Sequence, residues 1–404
     1  MRAATGRAGV NRCSEEQMSA DRDIKICICA TVPVTIRAFY GEQLRFLQEN
    51  GFEVTVLTSP DEQLAGELPA GVSYRPVEMT RGVTPWSDLR ALWSIWRTMR
   101  ASQFDLVQFS TPKAALLCSL AAWAARVPTR LYLMWGLFYT GQTGWRRRFF
   151  RMVERAICAL STHIAPDGRG VMEFAVQEGL CRRRETEVVG NGSSNGIDLR
   201  RFDPSGLRPQ RSSLRREFGV PGDAVAIGTV ARLGREKGIN ELVHAFCGAN
   251  REDPRLHLLL VGPTEEGNGL EPDVAEEIAA NAAITNLGMR WDVERCLAAV
   301  DIFVLPSWRE GFPVVNLEAG AMRLPVITAD VMGSRESIVD GQTGILVPVR
   351  DVERLREAML TLARDPDLCR RLGDSGRRRV ERAYEQRQHW QRILEHRRRI
   401  LRLG

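Results

Sequence analysis

Four charged side chains in the second half of the chain have the types and spacing to hold an anion that also carries hydroxyls. Glu310 and Glu318 bracket Gly311, Phe312, Pro313, Val314 and Val315 within PSWREGFPVVNLEAGAMRLPV, residues 306–326. The apolar run Ile302–Leu305 reads as a buried strand ending at Pro306 and Ser307. Pro313 then takes the first position of a predicted helix, Val314–Met322, whose Ala319, Gly320 and Ala321 leave a narrow face for close packing. Glu310 is expected in the loop before the helix and Glu318 about one turn inside it, both near N–H groups without intrahelical partners. Strand, glycine-containing loop and helix start together make an anion site. The same stretch also reads as an ordinary strand–helix connection with two solvated acids. Upstream, GTVARLGREKG (228–238) delivers Arg232 at a strand end, and Lys237 and Gly238 open a helix. Two cations so placed would neutralise a diphosphate without a metal, the alternative being a solvated pair beside Glu236.

Composition gives Lys237 weight. Of 56 basic residues only three are Lys, at positions 25, 113 and 237, so Arg is the default cation and a Lys stands out. The net charge of +6 is concentrated at the end: Arg370 to Gly404 holds 12 Arg against four acids, leaving the rest slightly acidic. No zinc finger, helix-turn-helix or aromatic stacking platform accompanies that run, so nucleic acid is not an expected partner. The nine Cys are scattered without C-x-x-C, which predicts free thiols in a reducing compartment, and the five His show no ligand spacing for zinc. No apolar run reaches spanning length. Residues 1–22 read as a polar, disordered tail without a secretion signal, and Met18 is an alternative start.

The elements that must position these residues alternate. Strands are predicted at Ile24–Ala30, Glu53–Leu57, Val72–Val77, Leu106–Phe109, Arg130–Met134 and His163–Ala165, with helices between. A glycine-rich connector, GNGSSNGIDLRRFDP (190–204), follows an apparent strand Glu187–Val189 without the helix a dinucleotide-binding turn needs. Alternation then restarts at Ala224–Val230 and runs to the helix Val352–Leu362. The expected architecture is α/β, two doubly wound domains (23–204 and 205–381) with a cleft between them and a basic C-terminal helix (382–404) returning to the first.

Here the sequence becomes recognisable. GTVARLGREKG, LGMRWDVERCLAAVDIFVLPSWREGFPVVNLEAGAMRLPVIT and GSRESIVDGQTGILVP resemble the C-terminal domain of family-4 retaining glycosyltransferases, which have the GT-B architecture of two Rossmann-like domains. Glu310 and Glu318 match that family's E-x7-E motif. FDLVQFSTPKAALLCSLAAWAARVP and GNGSSNGIDLRRF resemble the branch that assembles lipid-linked capsule or O-antigen saccharides. The resemblance implies that Arg232 and Lys237 bind the pyrophosphate of a nucleotide-sugar, Glu318 the ribose hydroxyls and Glu310 the transferred sugar. It further implies that the backbone of Gly311, Phe312, Pro313, Val314 and Val315 meets the distal phosphate, with Leu287 and Met289 near the base. Glycosyltransferases of the other main architecture hold a divalent ion with D-x-D. Here that pattern occurs only at Asp21-Arg-Asp23 and Asp365-Pro-Asp367, neither after an apolar strand, so no metal or other cofactor is expected.

On the acceptor side the pattern departs. Where the family usually carries a His, this chain has Trp135 in MWGLFYTG. A His relay is not expected, which leaves the donor β-phosphate as the base. Trp135 suits a sugar-stacking platform or an ordinary buried Trp. Lys113, opening a helix after Ser110-Thr-Pro, suits an acceptor phosphate or plain solvation, and Thr31 is placed on the same side. The stretch WRRRFFR (145–151), the segment bearing Trp86, Trp93 and Trp96, and the C-terminal Arg run suit an anionic membrane surface; the alternative for the aromatics is the core. The expected protein transfers a sugar, from a UDP-sugar, to a lipid-linked or growing saccharide in cell-surface polysaccharide synthesis. It would be cytoplasmic and peripheral at the inner membrane. The alternatives are a nucleotide-sugar epimerase of the same architecture and a non-catalytic sugar-nucleotide-binding assembly partner.

Overall fold

The computed structural model describes residues 23–80, 82, 84–265 and 269–403; the expected tail, with Met18 and Asp21, lies outside them. The predicted alternation is present. β1 (Ile24–Cys29), β2 (Phe52–Thr58), β3 (Ser73–Pro76), β4 (Leu106–Phe109), β5 (Thr129–Met134) and β6 (His163–Pro166) form one sheet in the order β3-β2-β1-β4-β5-β6. β7 (Val225–Val230), β8 (Leu256–Val261), β9 (Ile284–Asn286), β10 (Ile302–Leu305), β11 (Val326–Ala329) and β12 (Gly344–Val347) form a second, ordered β12-β11-β10-β7-β8-β9. Each order is that of the Rossmann fold, with a switch point between β1 and β4 and another between β7 and β10. β4, β8, β10 and β11 are buried throughout, as strands covered on both faces should be.

Eight helices matter below: α1 (Pro85–Ser102), α2 (Pro112–Ala124), α3 (Gly144–Leu160), α4 (Ile239–Glu252), α5 (Val314–Ala321), α6 (Val352–Arg364), α7 (Pro366–Ala383) and α8 (Gln386–Ile400). The pleat of the second sheet sends alternate side chains to two cores. Ala226, Leu259, Phe303, Leu305 and Val326 pack with Leu317 and Met322 around α5. Ile227, Leu258, Leu260, Val304 and Ile327 pack with Val243 and Phe246 of α4 and Met359 of α6. The small face expected at Ala319–Ala321 is used: a Cβ on Gly320 would lie 3.6 Å from the backbone of Gly376 on α7.

Four expectations change. Pro313 is the extended N-cap of α5, and the helix ends at Ala321, its C-cap being Met322. Glu187–Val189 is not a strand; only Thr186 bridges Ile164. Asp365-Pro-Asp367 starts a helix that the sequence reading left out, with Asp365 accepting the N–H of Leu368 at 2.8 Å. The last helix begins at Gln386. Contacts divide the chain within β5, one unit running to Tyr132 with Leu160–His163 and Ile400–Leu403, the other taking Leu133–Ala159 and Ile164–Arg399. Residues 190–197, on the first-domain side of the expected boundary at 204, bond to the C-terminal segment: Ile197 exchanges backbone bonds with Tyr384 and Gln386, and Trp390 donates to Asn195 at 2.7 Å. The terminal Arg run is partly structural. Arg377 donates to the carbonyls of Phe202 and Ala321, and Arg379 to those of Glu336 and Ser337.

One buried cation clamps the second sheet. Arg215 donates to the carbonyls of Ala299, Gly222 and Ala224 and, at 2.5 Å, to Asp301, which also accepts from the N–H of Ala226 on β7. Removing one partner of such a pair leaves the other charge desolvated. Asp301→Ala is expected to lower unfolding free energy by about 3 kcal/mol in urea titrations; an unchanged midpoint would contradict the clamp.

Candidate functional site

The second switch point, at the carboxyl ends of β7 and β10, is where a doubly wound sheet leaves a crevice. The chain leaving β7 passes Arg232, makes a 3₁₀ turn at Arg235–Lys237 and enters α4 through Gly238 at φ +70°. A Cβ on Gly238 would lie 2.2 Å from the carbonyl oxygen of Pro306, so only glycine lets the β7 and β10 loops approach this closely. The loops are tied again by Trp308 N–H donating to the Glu236 carbonyl at 2.9 Å and by Arg309 on the Glu236 carboxylate at 2.7 Å. Lys237 Nζ thereby reaches Glu310 Oε1 at 2.6 Å, both side chains being mostly buried.

The other predicted residues lie on the same sheet edge. Arg232 is exposed and pairs with Glu265. Leu287 donates its N–H to Leu260 after β9, and Gly288 accepts from Gly262, which puts this segment beside the β7 loop; Met289 is exposed. Gly311 leads through Phe312, which packs on Tyr384, to the start of α5, which no side chain caps. N–H groups at an uncapped helix start, including those of Val314 and Val315, are the donors an anion would take.

Glu318 is half-buried on α5, and its carboxylate has no hydrogen-bond or ion-pair partner among the described residues. Burial pushes it up to about 7 from 4.5; Glu294 adds to this and Arg201 opposes it. A carboxyl with a raised folded value favours the native state below its unfolded value and loses that advantage as pH rises through the folded one. Glu318→Gln is therefore expected to gain up to about 3 kcal/mol over the natural chain at pH 8, the gain vanishing by pH 4. Urea titrations across that range check it, and a pH-independent difference would contradict it.

Two of the acceptor-side residues lie within the first unit, and both are engaged by neighbours. Thr31 is buried, its hydroxyl 2.8 Å from that of Thr111 and accepting the N–H of Ala114, so it caps α2. Lys113 is ion-paired rather than solvated. Its ammonium bonds Asp88 at 2.7 Å and Thr80 at 3.2 Å, and that bond with those from Thr84 holds the Asp88 carboxyl below its ordinary range against the opposing pull of burial.

Trp135 is half-buried and belongs to the second unit, where its backbone lies against the loop bearing Gly311. A Cβ on Gly311 would lie 2.8 Å from the Trp135 carbonyl carbon, 2.7 Å from Gly136 N and 2.6 Å from Asp167 Oδ2. Sequence reasoning missed Asp167 and also Glu336, which accepts the N–H groups of Arg169 and Gly170 at 2.8 and 2.6 Å. The available signal was A-P-D-G after β6, an acid beside glycine at a strand end, as in REG at 309–311.

Two family models match: "Glycosyl transferases group 1" over residues 210–379 and "Glycosyl transferase 4-like domain" over 36–192. The chain is 27% identical to the capsular polysaccharide biosynthesis glycosyltransferase CapM of Staphylococcus aureus over 91% of its own length and 95% of the relative's. It is 26% identical to the N,N'-diacetylbacillosaminyl-diphospho-undecaprenol alpha-1,3-N-acetylgalactosaminyltransferase of Campylobacter jejuni, over 80% and 85%. Among solved structures, Anabaena HepE in complex with UDP and glucose superposes with a TM-score of 0.75 at 20% identity, covering 92% of this chain and 98% of that one. The sucrose-phosphate synthase of Thermosynechococcus elongatus gives 0.77 at 21%, covering 94% and 100%.

Proposed function

The chain belongs to the group 1 glycosyltransferases with a 4-like N-terminal domain, and from that premise we propose that it moves a sugar from a UDP-sugar to a lipid-linked saccharide with retention of configuration. The observation that carries the donor reading is the Lys237–Glu310 pair beside an uncapped helix start at the β7/β10 switch point. A diphosphate would compete with Glu310 for Lys237 and take the free N–H groups of α5, with Arg232 turning to it from Glu265. Glu310, released, would face the sugar, and Glu318 would accept the ribose hydroxyls. Leu287 and Met289 would flank the base. In the reaction the bond between sugar C1 and the β-phosphate oxygen breaks and the acceptor oxygen bonds C1 on the same face. The acceptor proton passes to the β-phosphate oxygen. The leaving diphosphate's charge is met by fixed cations and the helix start rather than by a metal. The UDP choice draws on HepE, described with UDP, and the lipid-linked acceptor on the Campylobacter relative, whose name gives a sugar carried on diphospho-undecaprenol.

Turnover of UDP-sugar in excess EDTA tests the metal-independent reading. Lys237→Ala is expected to weaken UDP binding at least tenfold by calorimetry, since it leaves phosphate charge uncompensated. Unchanged affinity would mean the phosphates bind elsewhere.

Membrane contact is proposed from the aromatics, which are exposed rather than core: Trp86 at 81%, Trp93 at 59% and, on α3, Trp145 at 75% beside Arg146–Arg148. No helix among the described residues is long and apolar enough to cross a membrane. Amphipathic aromatic rings beside Arg favour an anionic interface. Replacing Trp86 and Trp93 by Ala is expected to cut sedimentation with phosphatidylglycerol vesicles several-fold without changing UDP affinity. Equal sedimentation would remove this part of the proposal.

A further inference from the structure

Asp167 follows β6 and has no role in the donor reading above. It is 7% exposed, and its Oδ1 has no hydrogen-bond partner among the described residues. Its backbone is fixed from both sides: the N–H donates to the Met134 carbonyl at 3.2 Å, and the carbonyl accepts from Ser193 N–H at 2.8 Å. Its Oδ2 lies so near Gly311 that a Cβ there would come within 2.6 Å. The carboxyl therefore stands against the loop between Glu310 and the start of α5.

Ser193 repeats the pattern. It is 6% exposed, its Oγ also lacks a partner among the described residues, and its φ of +77° is unusual for a residue with a side chain. The preceding Gly192 admits no Cβ, which would fall 2.5 Å from the Asp167 carbonyl and 3.3 Å from the Phe312 ring. A strained backbone that presents a buried polar group is a pattern found at ligand sites. The neighbouring acids are already engaged, Glu310 by Lys237 and Glu336 by the N–H groups of Arg169 and Gly170. Burial first, then Glu336 and Glu310 close by, raise the Asp167 carboxyl well above its ordinary range, which favours the protonated form that can donate as well as accept. Two unpartnered buried polar groups are destabilising until something with hydrogen-bonding capacity reaches them.

Resting on the donor site at Gly311, we propose that Asp167 and Ser193 form a hydroxyl-recognising subsite that selects the sugar of the nucleotide-sugar by one of its ring hydroxyls. The surrounding carboxyl groups favour a neutral sugar over a uronic acid. Asp167 and Ser193 act in selection: neither is assigned bond making or breaking.

The test uses the full chain, with UDP and the tightest binder among UDP-glucose, UDP-galactose and their N-acetylamino counterparts. Asp167→Ala is expected to weaken that UDP-sugar at least tenfold while UDP affinity stays within twofold. Asp167→Asn, which keeps a donor N–H, is expected to recover most of the loss. With the unmodified chain, removing the sugar's hydroxyls one at a time is expected to give a similar loss at a single position, and this arm does not depend on a variant folding. Equal weakening of UDP and UDP-sugar in Asp167→Ala, no weakening of the UDP-sugar, or no sensitive hydroxyl would each overturn the subsite. An unmodified chain that binds UDP-sugars normally in those cases leaves the donor reading standing; one that binds no nucleotide overturns both.

Discussion

The contact on which the loops at the second switch point depend is the 2.6 Å pair of Lys237 and Glu310. Two charges mostly withdrawn from water are costly unless each meets the other in good geometry. The pair therefore constrains everything that sets that geometry. Gly238 must be glycine so that the β7 loop can lie on Pro306, and Glu236 must hold Trp308 and Arg309 so that Glu310 arrives opposite the ammonium. The pair also keeps the cation in place and its charge offset when no anion is bound. In the proposed reading a diphosphate would displace the carboxylate from it.

The two sheets share one strand order and differ in what fills the switch point. In the first unit the Thr31 and Thr111 hydroxyls meet at the carboxyl ends of β1 and β4, and the start of α2 has its N–H of Ala114 satisfied. In the second unit the start of α5 is uncapped and flanked by glycine, a cation and acids. Topology supplies the switch point twice, and side chains set how the helix start at each is satisfied.

Much of the second site was legible in the sequence because it is contiguous. Residues 302–326 carry strand, loop and helix in one stretch, and the scarcity of Lys singled out Lys237. The structure agrees to within a residue at α5, where Pro313 caps rather than enters the helix. Contacts between distant segments were not legible. Trp135, Asp167, Ser193 and Gly311 are far apart in the chain and meet only in the folded second unit, so neither Asp167 nor the division within β5 could be read from local pattern. The pairing of Lys113 was not legible for the same reason, since its partner Asp88 lies on another helix. α7 has no counterpart among the predicted elements; Pro366, at its first position beside the Asp365 cap, begins a helix.

With only three lysines, ¹⁵N-lysine labelling gives a side-chain ammonium spectrum in which each Nζ can be assigned by single replacement. Titration with UDP in the presence of EDTA should shift the Lys237 resonance as its partner changes from Glu310 to phosphate, and should leave Lys25 and Lys113 where they were. A spectrum in which Lys237 does not respond while UDP binds, or in which Lys113 responds instead, would contradict the donor site at the second switch point.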